Sequence, residues 1–139
     1  FAFCMRGRRS IMAETNILSI LIIDDEESIR KYVQDTLADE GYKAVVANDG
    51  ASGLNMVQIY RPDLILLDMY MPAMDGWAFL AAYAQMQIPH APIIVMSSEI
   101  DVKRMPGVVA GIGKPFTIDR LLVAVKKVLP LSSEKTSGV

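Results

Sequence analysis

The sequence predicts an α/β protein: five βα units in succession, folded as a parallel sheet with helices on both faces. Three observations carry this. Short apolar runs at residues 17–23, 64–67 and 93–96 are dominated by Ile, Leu and Val, as in strands buried on both faces. Most are followed by a turn or an acidic loop and then by apolar residues at helical spacing. The connections are also short, which favours parallel strands with crossover helices packed back on the sheet.

The elements follow in order. Residues 17–23 form the first strand, ended by Asp24-Asp25-Glu26-Glu27. Ile29, Val33 and Leu37 then mark a helix over 28–40, with Gly41 placed to cap its end. Acids in its first turn suit the helix dipole. Residues 42–47 are a β-branched strand closed by Asn48-Asp49-Gly50. Asp49 caps a helix over 51–60, with Leu54, Val57 and Ile59 as its apolar positions. Residues 64–67 are the third strand. Trp77, Leu80, Ala81 and Ala84 make one side of the next helix, and Trp77 and the methionines read as core.

Pro89 and Pro92 bracket a turn that holds His90, a surface loop residue, before the fourth strand at 93–96. Pro106-Gly107 then forces a break, so residues 99–105 hold only a turn or two of helix. Residues 108–112 are the fifth strand. Thr117 caps a last helix with Ile118, Leu121, Leu122, Val125 and Val128 inward and Lys126-Lys127 outward, and Pro130 stops it. Residues 17–130 therefore read as one domain. Residues 1–16 read as a disordered segment or an addition left by expression, and residues 131–139 as a tail.

Composition narrows the function. The 139 residues are 52% hydrophobic but only 7% aromatic, which suits one domain with an aliphatic core. A net charge of −2 argues against direct nucleic-acid binding. Cys4 is the single cysteine, so no internal disulfide forms, and a reducing, cytoplasmic setting fits best. No apolar run reaches membrane-spanning length. Arg6, Arg8 and Arg9 follow an apolar start, the reverse of a signal peptide.

The functional signal lies at the strand ends. Five parallel strands place Asp24, Asp25, Asp68, Ser97 and Lys114 at carboxyl ends on one edge of the sheet, where open α/β sheets bind ligands. Asp68 interrupts a buried apolar run, and an unpaired carboxylate there is costly. Taken singly, each residue has an ordinary reading: solvated loop acids, a turn acid, a strand-end hydroxyl, an exposed lysine. Their joint placement on one edge is poorly explained that way. Three acids in one crevice repel unless a cation is present, and Mg²⁺ accepts oxygen ligands while retaining waters and a phosphate oxygen. A carboxylate can also attack phosphorus to give an aspartyl phosphate, with a hydroxyl and an ammonium holding the other oxygens.

The stretches LIIDDEESIR, LILLDMYMPAMDG, PIIVMSS and GKPF resemble the receiver domain of two-component response regulators, over about residues 19–129. The resemblance implies a flavodoxin-like (βα)5 sheet of order 2-1-3-4-5. It implies that Asp68 accepts a phosphoryl group from a histidine kinase or histidine phosphotransfer protein. Asp25, Asp68 and the Tyr70 backbone carbonyl would ligate Mg²⁺, with Asp24 acting mainly through metal-bound water. Ser97 and Lys114 would bind phosphoryl oxygens, and the Lys114-Pro115 bond would be cis. Such a domain is not an enzyme beyond its own phosphotransfer and autodephosphorylation. Its downstream effector is not named by the sequence, and a homodimer is left open.

Two positions depart from the family. Gly111 stands where an aromatic residue is usual, and the connection between the fourth and fifth strands is short, giving a shortened fourth helix. They motivate a rival reading, a non-switching interaction scaffold of the same fold. A haloacid-dehalogenase-like phosphohydrolase would need an acid where Tyr70 stands, and a nucleotide-binding role would need a Gly-rich loop after the first strand.

Overall fold

The computed structural model describes residues 17–97 and 102–131. The chain alternates β1 (Ser19–Ile23), α1 (Glu27–Asp39), β2 (Lys43–Ala47), α2 (Gly50–Tyr60), β3 (Leu64–Leu67), α3 (Gly76–Ala84), β4 (Ile93–Val95), β5 (Val108–Gly111) and α4 (Ile118–Val128). All five strands are parallel, in the order β2-β1-β3-β4-β5. The order reverses at β1 and β3, so the crevice between their carboxyl ends is the binding position of such sheets.

Alternation along the strands separates two cores. Ile20, Ile22, Leu64, Leu66 and Ile94 face one side, against Val33 and Leu37 of α1 and Leu121 and Val125 of α4. Leu21, Ile23, Ile65, Leu67 and Val95 face the other, against Val57 of α2 and Phe79 and Tyr83 of α3. Both faces of β1 and β3 are thus covered, which is why these strands are continuous apolar runs without polar alternation. Fully burying one such aliphatic side chain is worth about 2 kcal/mol.

The expected helix caps form. The Asp49 side chain accepts the Ser52 N–H, and that of Thr117 accepts the Arg120 N–H. Gly41, just past α1, has φ of +105°, the left-handed geometry that a glycine supplies without strain. The Tyr42 hydroxyl donates to the Leu129 carbonyl at 2.7 Å, tying the end of α4 to the entry of β2.

Several inward faces differ from expectation. In α3 the buried residues are Gly76, Phe79 and Tyr83, while Trp77 is 44% exposed and Ala81 and Ala84 also face solvent. The helix is apolar around its whole circumference, so its pattern alone does not select a buried stripe. The stripe is chosen by Gly76, which is pressed against Met69: a Cβ there would lie 2.6 Å from the Met69 Cα. Ile59 in the last turn of α2 and Ile118 in the first turn of α4 are also exposed, where apolar inward positions were expected. His90 is exposed, as expected, and its ring lies 4.6 Å from that of Tyr83.

Between β4 and β5 the described residues contain one 3-10 turn, Val102–Arg104. This matches the shortened fourth helix. Residues 98–101 ahead of it, the segment 1–16 and residues 132–139 of the tail lie outside the described residues. Leu131 packs on the core that contains α1 and α4.

Candidate functional site

The site forms where β1 and β3 end. The Asp68 N–H donates to the Ile23 carbonyl at 2.9 Å, which continues the sheet ladder and draws Asp68 in beside Asp24. Asp24 and Asp68 are both buried, and Asp25 is exposed beside them. One carboxylate oxygen from each of Asp24, Asp25 and Asp68 can be chosen so that all lie within 4.8 Å of one another.

Lys114 reaches into this cluster from the loop after β5. Its Nζ donates to Asp24 Oδ2 at 2.7 Å and lies 3.7 Å from Asp68 Oδ2. The Lys114-Pro115 peptide bond is cis. Ser97 follows β4 and shares with Lys114, Val102, Gly111 and Gly113 the lining of a cleft of about 450 Å³. Tyr70 donates its N–H to Asp68 Oδ1 at 3.2 Å, so its backbone is fixed against the central carboxylate.

Two further residues belong to the arrangement. Glu26 lies 3.6 Å from Lys114 Nζ, giving the lysine a third acidic neighbour, and its N–H donates to Asp24 Oδ1 at 2.9 Å. Arg30 Nη1 donates to the Asp24 carbonyl at 3.0 Å, fastening the acidic loop to the first turn of α1. Glu26 follows the acid pair directly, and Arg30 stands one helical turn after it. That spacing is their only trace in the sequence, because Lys114 is remote in the chain.

The electrostatics follow from this crowding. Burial, and then the negative charge of Asp24, push the Asp68 carboxyl up to about 6. Lys114 and the Tyr70 N–H pull the other way without cancelling the effect. For Lys114, burial would favour the neutral amine. The hydrogen bond and charge of Asp24, aided by Asp68 and Glu26, outweigh it and hold the ammonium protonated above its ordinary range. Asp68 therefore lacks full compensation. A cation among the three acids would supply it, and an all-oxygen donor set suits a hard ion.

Comparison with known proteins agrees with this architecture. A family model described as response regulator receiver domain matches residues 20–126. Sporulation initiation phosphotransferase F of Bacillus subtilis is 38% identical over 119 residues, covering 82% of this chain and 95% of that protein. Regulatory protein AtoC of Escherichia coli is 32% identical, covering 87% of this chain but only 27% of that protein. The chain likewise spans 51% of the response regulator MprA of Mycobacterium leprae, with 34% identity. Among solved structures, the chemotaxis protein CheY4 of Vibrio cholerae superposes with a TM-score of 0.73 at 32% identity, covering 82% of this chain and all of that one. The chain belongs to the response regulator receiver domain family of two-component signalling.

Proposed function

We propose that this domain is a phosphoacceptor: Asp68 takes a phosphoryl group from a histidine-phosphorylated protein, and the resulting charge reorders the surrounding loops. The observation that carries the proposal is the convergence of Asp24, Asp25 and Asp68 with Lys114 spanning Asp24 and Asp68. An Asp68 carboxylate oxygen would bond to phosphorus as the phosphorus–nitrogen bond of the donor breaks. The imidazole nitrogen keeps the electron pair of that bond and takes up a proton. Ser97 and Lys114 would bind phosphoryl oxygens, which requires Lys114 to loosen its hold on Asp24.

Asp24, Asp25, Asp68 and the Tyr70 carbonyl would hold Mg²⁺. Bound there, the ion would neutralise charge on the carboxylates and the incoming phosphoryl oxygens. The protein contributes positioning and charge compensation, which is most of what phosphoryl transfer requires. Apart from this self-modification and its hydrolysis, the domain is proposed to have no enzymatic activity. The proposed partners are a sensor histidine kinase or a histidine phosphotransfer protein, with a downstream effector reading the phosphorylated state in the cytoplasm. No helix among the described residues is long and apolar enough to cross a membrane.

No feature of the described site favours the non-switching scaffold. Gly111 does change the route of a switch. A Cβ at Gly111 would stand 3.1 Å from Val102 Cγ1 and 3.5 Å from Val95 Cγ2, so the 3-10 turn packs directly on this position. Motion of Ser97 would then pass through the backbone into the turn without an intervening aromatic ring.

The experiment is incubation with acetyl phosphate and Mg²⁺, read by intact mass. One added phosphoryl group is expected, labile to hydroxylamine and not formed when the metal is chelated before the phosphodonor is added. An unchanged mass would overturn it.

A further inference from the structure

The loop that carries Asp68 and the first turn of α3 that follows it display two large aromatic rings to solvent. Tyr70 is 62% exposed and Trp77 44% exposed, and their rings meet edge-on with centroids 5.4 Å apart. We infer that this pair is the anchor on which the protein phosphodonor docks. The inference rests on the assignment of Asp68 as phosphoacceptor.

Three features support it. The backbone that carries the rings is tied to the site. Tyr70 is bonded through its N–H to Asp68. Trp77 is the second residue of α3, and the first, Gly76, donates its N–H to the Met69 carbonyl at 3.0 Å. Gly76 is so close that a Cβ would lie 2.5 Å from Met69 Sδ and 3.0 Å from the Asp68 carbonyl oxygen. The backbone of the pair is therefore fixed beside Asp68, and the rings brace one another edge-on, which lowers the ordering cost of binding.

The rings also carry unused capacity. Among the described residues, neither the Tyr70 hydroxyl nor the Trp77 indole N–H has a hydrogen-bond partner. Each is an apolar plate with a free polar tip, the side-chain type that dominates binding energy at protein interfaces.

The third feature is steric. Direct transfer requires the donor's imidazole to reach the Asp68 carboxylate. Tyr70 is two residues along the chain from Asp68 and its N–H is bonded to that carboxylate, so a donor protein that brings its imidazole there approaches Tyr70, against which Trp77 packs. A small phosphodonor has no surface to lay on the pair, and the cleft lined by Ser97 and Lys114 does not include Trp77. The partner that fits is a folded protein presenting its phosphohistidine beside an apolar surface that accepts an aromatic edge.

Two phosphodonors separate the roles. One is acetyl phosphate. The other is the fastest donor for the unaltered chain among autophosphorylated histidine kinases of the source organism. Trp77→Ala should leave labelling by acetyl phosphate within about twofold, and should slow transfer from the kinase at least about tenfold at low receiver concentration. The loss should lie in KM with little change at saturation, and Trp77→Phe should recover part of it. Equal slowing with both donors, or no slowing with the kinase, would overturn the inference. So would labelling by acetyl phosphate with no kinase able to transfer, which leaves the Asp68 assignment standing. A chain that neither donor labels refutes the phosphoacceptor assignment and the docking inference with it.

Discussion

Asp63 and Asp68 flank the same strand, β3, and differ in what surrounds them. At the amino end, Asp63 Oδ2 accepts the Ser19 N–H at 2.8 Å and the Ser19 hydroxyl at 3.4 Å. It locks the start of β1 to the start of β3 and is half-buried in a satisfied setting. At the carboxyl end, Asp68 accepts one backbone N–H at 3.2 Å, sees Lys114 only at 3.7 Å, and faces the charge of Asp24. A structural carboxylate is given its partners, whereas a chemical one is kept short of them. The shortfall at Asp68 is what a cation and a phosphoryl group would relieve.

The comparison breaks most sharply under acetyl phosphate and Mg²⁺. Asp68→Asn should abolish labelling, and Asp63→Asn should keep it within about twofold. Intact mass of the two variants side by side decides this. Next in size is Lys114→Ala, which leaves buried Asp24 without its cation. It should cost about 2 kcal/mol in denaturant unfolding, and Mg²⁺ should recover part of the loss.

The pH dependence gives an effect of opposite sign. The Asp68 carboxyl is raised in the folded protein from its ordinary 3.8 to about 6. The folded state then holds the proton more tightly than the unfolded chain. The stability this contributes is complete below about pH 4 and is lost as pH rises through about 6. In metal-free buffer, Asp68→Asn should therefore stabilise the fold by up to about 2 kcal/mol at pH 7.5 and by almost nothing at pH 4. Melting curves of the two proteins across that range check the sign. Asp63→Ala should cost about 1 kcal/mol by leaving the Ser19 N–H with a poorer partner, and should leave the melting response to Mg²⁺ unchanged.

Much of this was legible in the chain because the relevant signals are local. Buried parallel strands are continuous Ile, Leu and Val runs, and each ends on a residue that cannot continue into an apolar core. Asp24, Asp68 and Ser97 are visible for that reason, as are the caps Asp49 and Thr117. What the sequence concealed depends on approach between distant segments. Nothing near Glu26 indicates that Lys114 arrives 3.6 Å away, and nothing near Ser19 indicates Asp63. The buried face of α3 is not legible because all its sides are apolar; the close packing of Gly76 on Met69 decides it and turns Trp77 outward.

The distinction between Asp68 and the other acids is tested most directly by trapping. Protein treated with acetyl phosphate and Mg²⁺ is reduced with borohydride, which cleaves an acyl phosphate and leaves the carboxyl carbon reduced, and is then mapped by peptide mass spectrometry. Reduction at position 68 alone is the expected result. Reduction at Asp24, Asp25 or Asp63, or a phosphate on Ser97 that survives the treatment, would contradict the account.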